Sequence, residues 1–256
     1  MPGPALDPPA GSRIAVAGGC GGIGRLLVQA LLERRCRVAV LDMVPSLNAH
    51  PPPADVLTLT ADATDAGQVE RAAGVVAGDW GSIDGFVNLC GYAPPRVPIA
   101  EYDADTWRSA VDVNLHAAFL LSRAFMPLLE RGDSPALVHV ASSLAVRAAP
   151  GYGPYAASKA GMLALTRTLA EENAPAVRVN AVAPCAVRTE FIAGGTARSG
   201  APGKPLLDID AYGKALPLGR AAEPEDVVGP VLFLLGPGAG YMTGQVLHVN
   251  GGLWQP

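Results

Sequence analysis

The chain has 256 residues, half of them apolar and 16% charged, with a formal net charge of −4. That length fits one α/β domain or two small ones with a sizeable core, and 30 Gly plus 24 Pro stay below the roughly 25–30% share typical of low-complexity chains. The balance of charge speaks against a nucleic-acid groove or a polybasic membrane anchor, and no run approaches the roughly 20 apolar residues of a membrane span.

Residues 1–11, rich in Pro and Gly, read as a short flexible leader without the layout of a signal peptide. Beyond it, short runs of Val, Ile, Leu and Ala predict strands at 14–17, 37–42, 56–59, 86–89, 136–141, 177–182 and 245–249. Their near-continuous apolarity suits strands buried on both faces of a parallel sheet. Helical spacing predicts helices at 23–35, 65–77, 106–131, 155–172 and 224–235, the last interrupted by Gly229 and Pro230. Alternation of this kind implies an α/β fold: one doubly wound parallel sheet, helices on both faces, in a single domain over residues 12–256. Residues 44–55 and 185–215 read as loops, and the second is long enough to expect a substrate-binding role. Cys20, Cys36, Cys90 and Cys185 have no CxxC spacing, so neither a zinc site nor a redox pair is expected, and a reducing, cytoplasmic setting is.

The first strand leads into Ala17-Gly18-Gly19-Cys20-Gly21-Gly22-Ile23-Gly24 and then a helix. Gly18, Gly22 and Gly24 allow a tight turn, close approach of backbone to a pyrophosphate, and packing of helix on strand. Asp42 ends the second strand 18 residues after Gly24, near the offset at which a carboxylate accepts from an adenosine ribose. A methyltransferase would fit these features equally well. The separating motif is Tyr155-Ala156-Ala157-Ser158-Lys159, because positions four apart share a helical face and place an ammonium near a phenol. Ser142, thirteen residues earlier at a strand end, can face the same cleft.

With these motifs in this order, the sequence resembles the short-chain dehydrogenase/reductase family from Arg13 to Leu253. The resemblance implies Ser142, Tyr155 and Lys159 as the catalytic set, with Asn114 supporting a water-linked proton path from Lys159. It implies an NAD site formed by Gly18, Gly22, Ile23, Gly24, Asp42, Asp62, Ala63, Asn88, Cys90, Gly91, Pro184, Val187 and Thr189, with Tyr155 and Lys159 at its nicotinamide end. The segments 178–184 and 241–245 also resemble the family. Three positions depart from it: Ala17 stands for a threonine, Asn88-Leu89-Cys90-Gly91 for Asn-Asn-Ala-Gly, and Pro184-Cys185 for Pro-Gly.

The implied activity is hydride transfer between NAD and a secondary alcohol or ketone, with Tyr155 as general acid or base and its pKa lowered by Lys159. Alternatives are an NADPH-dependent 3-oxoacyl-[acyl-carrier-protein] reductase and a dihydrodiol dehydrogenase, the latter suggested by the short interval from Asp42 to Asp62. From another class, a silent dinucleotide sensor would not need Ser142, Tyr155 and Lys159. Expected partners are a small-molecule alcohol or ketone, neither nucleic acid nor membrane, and, by resemblance, three further copies in a homotetramer built on helices 106–131 and 155–172.

His139 and His248 are expected as core imidazoles, and Trp80 and Trp107 as packing residues. Arg147, near the substrate mouth, reads as a solvated surface arginine, with contact to a substrate carboxylate as the alternative. Cys20, at a helix N-terminus, is expected to have a lowered pKa and to be covered by bound NAD.

Overall fold

The structure, a computed structural model, describes residues 6–195 and 205–255. Seven parallel strands form one sheet: β1 (Arg13–Ala17), β2 (Arg37–Asp42), β3 (Leu57–Thr60), β4 (Gly85–Asn88), β5 (Ala136–Val140), β6 (Arg178–Pro184) and β7 (Val246–Val249). Their order is β3-β2-β1-β4-β5-β6-β7. After β1 the chain builds outward to β3, then crosses back to lay β4 on the other side of β1. Loops at the carboxyl ends of β1 and β4 therefore diverge and open a crevice.

Alternation along β1 divides the core. Ile14 and Val16 face one side, where α1 (Gly22–Glu33) and α8 (Pro224–Leu235) cover them with Leu27, Leu31, Val227 and Val231. Ala15 and Ala17 face the other, under α3 (Ala66–Trp80) and α5 (Ala117–Leu129). There Phe125 stacks on Phe86 of β4 with centroids 4.4 Å apart, adding to the burial of two large rings. The remaining helices are α2 (Val44–Ala49), α4 (Ala104–Val111), α6 (Gly153–Asn173) and α7 (Ile209–Lys214).

The structure corrects three expectations. The 44–55 loop begins with α2, because Pro45 falls in the first helical turn, where its fixed φ favours a helix and its missing N–H costs nothing. The single helix expected at 106–131 is α4 and α5 joined by a π-helical turn, Asp112–His116. Asn114 causes the widening: its Nδ2 donates to the carbonyl oxygens of Ala110 (2.8 Å) and Tyr92 (2.8 Å), and its Oδ1 accepts from the Tyr92 amide (3.0 Å). A side chain tied into the ladder and across to another loop produces such a turn. The 185–215 loop carries a 3₁₀ turn, Glu190–Ala193, and α7, whose first amides are capped by Asp208. Its residues 196–204 lie outside the described residues.

Residues 1–5 of the expected leader also lie outside them, and the rest of it is held to the body. The Leu6 carbonyl accepts from Gly238 (3.3 Å), and Asp7 pairs with Arg34 (2.8 Å). Among the described residues, no helix is long and apolar enough to cross a membrane.

Candidate active site

Two lobes of one cleft open at the crevice, of about 150 and 350 Å³, and share Gly18, Gly21, Gly22, Leu89, Gly91 and Phe191 as wall. The glycine turn is the divide. Gly18 has a φ of +81°, which favours glycine, and a Cβ on Gly22 would sit 2.6 Å from Thr189 Cγ2. The turn is thus closed against the 189–191 segment as tightly as a bare backbone allows. That leaves a shaped cradle in front of the α1 N-terminus, whose amides favour an anion such as a pyrophosphate.

The smaller lobe holds Asp42, Asp62, Ala63, Cys90 and Gly91, five of the residues expected to bind cofactor. Asp42 Oδ2 accepts from the Cys20 amide (2.9 Å) and Oδ1 from the Met43 amide (2.8 Å). Each oxygen keeps lone-pair capacity for a further donor. Asp62 accepts from the Thr64 amide (2.9 Å) and hydroxyl (2.7 Å). Two charged wall residues were not foreseen: Glu190 and Arg25, paired at 2.7 Å. The helical periodicity of α1 turns Arg25 away from the core, but nothing in sequence tells that Glu190 crosses the glycine turn to meet it.

The larger lobe holds Ile23, Gly24, Ser142, Tyr155, Lys159, Pro184, Val187 and Thr189. Ser142 lies two residues past β5, in extended backbone, and its Oγ accepts from the Leu144 amide (3.2 Å). Tyr155 is the third residue of α6 and 7% exposed, with its ring 6.1 Å from that of Phe191. Lys159, one turn on and 3% exposed, sets its Nζ 5.9 Å from the centre of the phenol ring. The ammonium donates to the carbonyls of Val140 (3.0 Å) and Cys90 (3.4 Å). Burial pushes Lys159 down to about 8.

The expected lowering of Tyr155 does not prevail: burial pushes the phenol up to about 12, and its hydrogen bond with Ser142 only partly opposes this. The lysine sits over the ring and spends donors on carbonyls rather than on the phenol oxygen. The protein's own groups therefore favour the protonated phenol.

Two expected residues act from behind the walls. Asn88 is fully buried, and its Oδ1 accepts from the Cys90 amide (3.0 Å) while its Nδ2 has no hydrogen-bond partner among the described residues. Asn114, also fully buried, shapes the π turn and packs under Gly91, where Lys159 Nζ also approaches. The expectation for Cys20 is overturned. The thiol is fully buried, and burial together with the Asp42 carboxylate raises its pKa to about 12. Cys90 and Cys185 do line the cleft.

His139 is the satisfied core imidazole expected, between the hydroxyls of Ser122 (3.1 Å) and Thr166 (3.0 Å), with burial pushing it down to about 3. His248 meets Trp254 edge-on at 5.1 Å. Trp80 lies under the Arg37 guanidinium, and Trp107 is exposed.

A family model described as enoyl-(acyl carrier protein) reductase matches residues 18–254. The chain belongs to the short-chain dehydrogenase/reductase family. Family members of known activity span nearly its whole length. Cis-4-hydroxycyclohexanecarboxylate dehydrogenase of Sinomonas cyclohexanicum is 31% identical over 252 residues, 94% of this chain and 96% of that one. A 3-oxoacyl-[acyl-carrier-protein] reductase of Thermotoga maritima is 31% identical over 248 residues, 93% and 96% of the two chains. The solved glucose/ribitol dehydrogenase of this family from Brucella melitensis superimposes with a TM-score of 0.87 at 27% identity, over 98% of this chain and all of that one. The protein is an oxidoreductase of the short-chain dehydrogenase/reductase type, acting on CH–OH groups and using a nicotinamide dinucleotide.

Proposed function

We propose that this dehydrogenase is NAD-dependent and interconverts a secondary alcohol and its ketone, with Tyr155 exchanging the proton. The observation that carries the reading is the placement of Ser142, Tyr155 and Lys159 on one lobe of a cleft whose other lobe presents Asp42. The residues fit a dinucleotide: the glycine cradle admits close backbone approach, and two carboxylates face the adenosine end. When bound, the oxidised nicotinamide accepts a hydride and brings a positive charge.

The chain's own groups do the rest. Ser142 holds the substrate oxygen beside the phenol. Tyr155, held protonated by burial, is poised to donate to a ketone; in the alcohol direction it must first lose its proton, which positive charge nearby favours. Lys159 fixes the Cys90 and Val140 backbone and supplies a buried cation, while Asn114 holds the loop at Tyr92 in register with it. NAD is favoured over NADP because a 2′-phosphate would face Asp42, and neither Gly21 nor Met43 supplies a positive charge. The apolar share of the larger lobe, with Phe191, Ile192, Leu206 and Leu207, suits an alicyclic body such as that acted on by the Sinomonas relative. Assembly of four copies in a cytoplasmic setting completes the reading, and exposed Trp107 and Phe119 lie on the helices that would meet.

The test is Tyr155→Phe. It should bind NAD with unchanged affinity, measured by fluorescence titration, and lose at least about a hundredfold in turnover, since general acid–base groups contribute about 10²–10⁴. Turnover near that of the native enzyme would require another proton donor.

A further inference from the structure

We propose that the substrate lobe is an anion-selecting pocket: the alcohol it takes carries a carboxylate, held by Arg147 with Arg96 at its side. This rests on the alcohol-dehydrogenase reading and adds the chemical class of the substrate. The lobe's described walls include three cations, Arg96, Arg147 and Lys159, and not one Asp or Glu. Lys159 is committed to carbonyls at the reacting end. The two arginines stand elsewhere on the wall, among Leu144, Ile192, Leu206 and Leu207.

Both arginines lack the carboxylate that arginines around the cleft otherwise find. Arg25 pairs with Glu190, Arg188 with Asp210 and Glu223, and Arg220 with Asp226. Among the described residues the exposed Arg147 has no side-chain hydrogen bond or ion pair, although its charge acts on the half-buried phenol of Tyr212 across the pocket. Its backbone is anchored, the amide donating to the Ser143 carbonyl (3.0 Å), so the side chain springs from the segment that carries Ser142.

Arg96 is braced. Its guanidinium lies over the Tyr152 ring at 4.7 Å and, among the described residues, donates to the carbonyls of Leu206 (3.5 Å) and Pro150 (3.4 Å). The loop that bears it is clamped by Tyr102, whose hydroxyl meets the Pro95 (2.6 Å) and Gly151 (2.9 Å) carbonyls. A guanidinium presents a planar fork of donors that matches a carboxylate. An acid-free wall with two such forks and an apolar floor is complementary to a hydrophobic body bearing an anion.

The experiment compares oxidation of cis-4-hydroxycyclohexanecarboxylate and its methyl ester by the full-length enzyme with NAD. The native enzyme should prefer the acid in kcat/KM by about tenfold or more. In Arg147→Met the acid-to-ester ratio should fall about ten- to hundredfold, the size of a hydrogen bond to a charged group, mostly through KM. Arg147→Lys should restore part of it. An ester preference, a ratio untouched by Arg147→Met, or a preference for a neutral 3-oxoacyl thioester over both overturns the proposal.

A second measurement is independent of turnover. With NAD present, cyclohexanecarboxylate should raise the native Tm and cyclohexanecarboxamide should not, and Arg147→Met should abolish the rise. If neither alcohol is oxidised but this carboxylate-dependent rise is seen and lost in the variant, the anion site stands and the alicyclic reading of the substrate falls. If no such rise occurs, the anion site falls, whatever is oxidised.

Discussion

The two lobes of the cleft share a wall of glycines and differ in sign. The smaller carries Asp42, Asp62 and Glu190 against Arg25, while the larger carries Arg96, Arg147 and Lys159 with no acid among its described walls. On the proposed reading the contrast sorts charge on either side of one turn: the carboxylates would meet the ribose hydroxyls of NAD and oppose an added phosphate, and the other end would draw negative charge. Net charge, at −4 for the whole chain, hides this entirely.

The largest effect should come from taking the buried cation out of the substrate lobe. Lys159→Met should lower turnover about a hundredfold or more and displace the pH profile. With Tyr155 exchanging the proton as proposed, alcohol oxidation would use the phenolate, so its kcat/KM should climb with pH until Tyr155 is ionised, whereas ketone reduction would use the phenol and decline. A unit charge about 6 Å away at an effective dielectric near 20 is worth about 3 kcal/mol, or about 2 pH units. Without it the ascending limb should move up by one to two pH units. A limb that stays in place would mean Lys159 does not act on the phenol.

Next is the acidic lobe. Native kcat/KM with NAD should exceed that with NADP by roughly tenfold or more, at least about 1.4 kcal/mol. Asp42→Ala should narrow the gap and also lower the Tm, because the Cys20 and Met43 amides lose their acceptor. Equal efficiency of the native enzyme with both cofactors would show that Asp42 is spent on the turn alone.

A smaller change should follow from Glu190→Gln. The Arg25–Glu190 pair is half-exposed and worth about 1 kcal/mol at most. Weakening it frees a guanidinium in the adenosine lobe, and steady-state assays should find NADP efficiency raised about threefold with NAD little affected. No gain would place Arg25 out of reach of a 2′-phosphate.

The mildest test uses the thiols. Mass mapping after alkylation should find Cys90 and Cys185 slowed by saturating NAD and Cys20 unreactive under both conditions. Labelling of Cys20 would contradict its burial.

Legibility tracks the range of the interactions. The five central strands can be read because burial on both faces leaves a nearly unbroken apolar run, and Tyr155 with Lys159 because four residues make about one helical turn. α2 escapes since Pro45 reads as a breaker unless its place in the first turn is known. The π turn escapes because the apolar pattern runs through Asn114 without a gap, and only its bonds to Tyr92, twenty-two residues earlier, reveal the widening. Cys20 misleads because a position in sequence gives the helix end but not the strand packed above it. Arg147 is visible in sequence but its setting is not, since the apolar walls and Arg96 join it in one lobe from loops far apart in the chain.

The π turn at Asn114 also sets the phase of the helix beyond it. One extra residue in a helical turn rotates every later side chain by about 100°. α5 presents Phe125 to Phe86 and Leu121 to the sheet only because the chain has already taken that extra step. Deleting one residue between 112 and 116 would let a regular helix form and swing α5 by more than a quarter of a revolution. Its apolar stripe would then face the neighbouring helix rather than the sheet. A polar residue that looks like a local accommodation near the active site is thus also the timing mark by which a core helix finds its bearing.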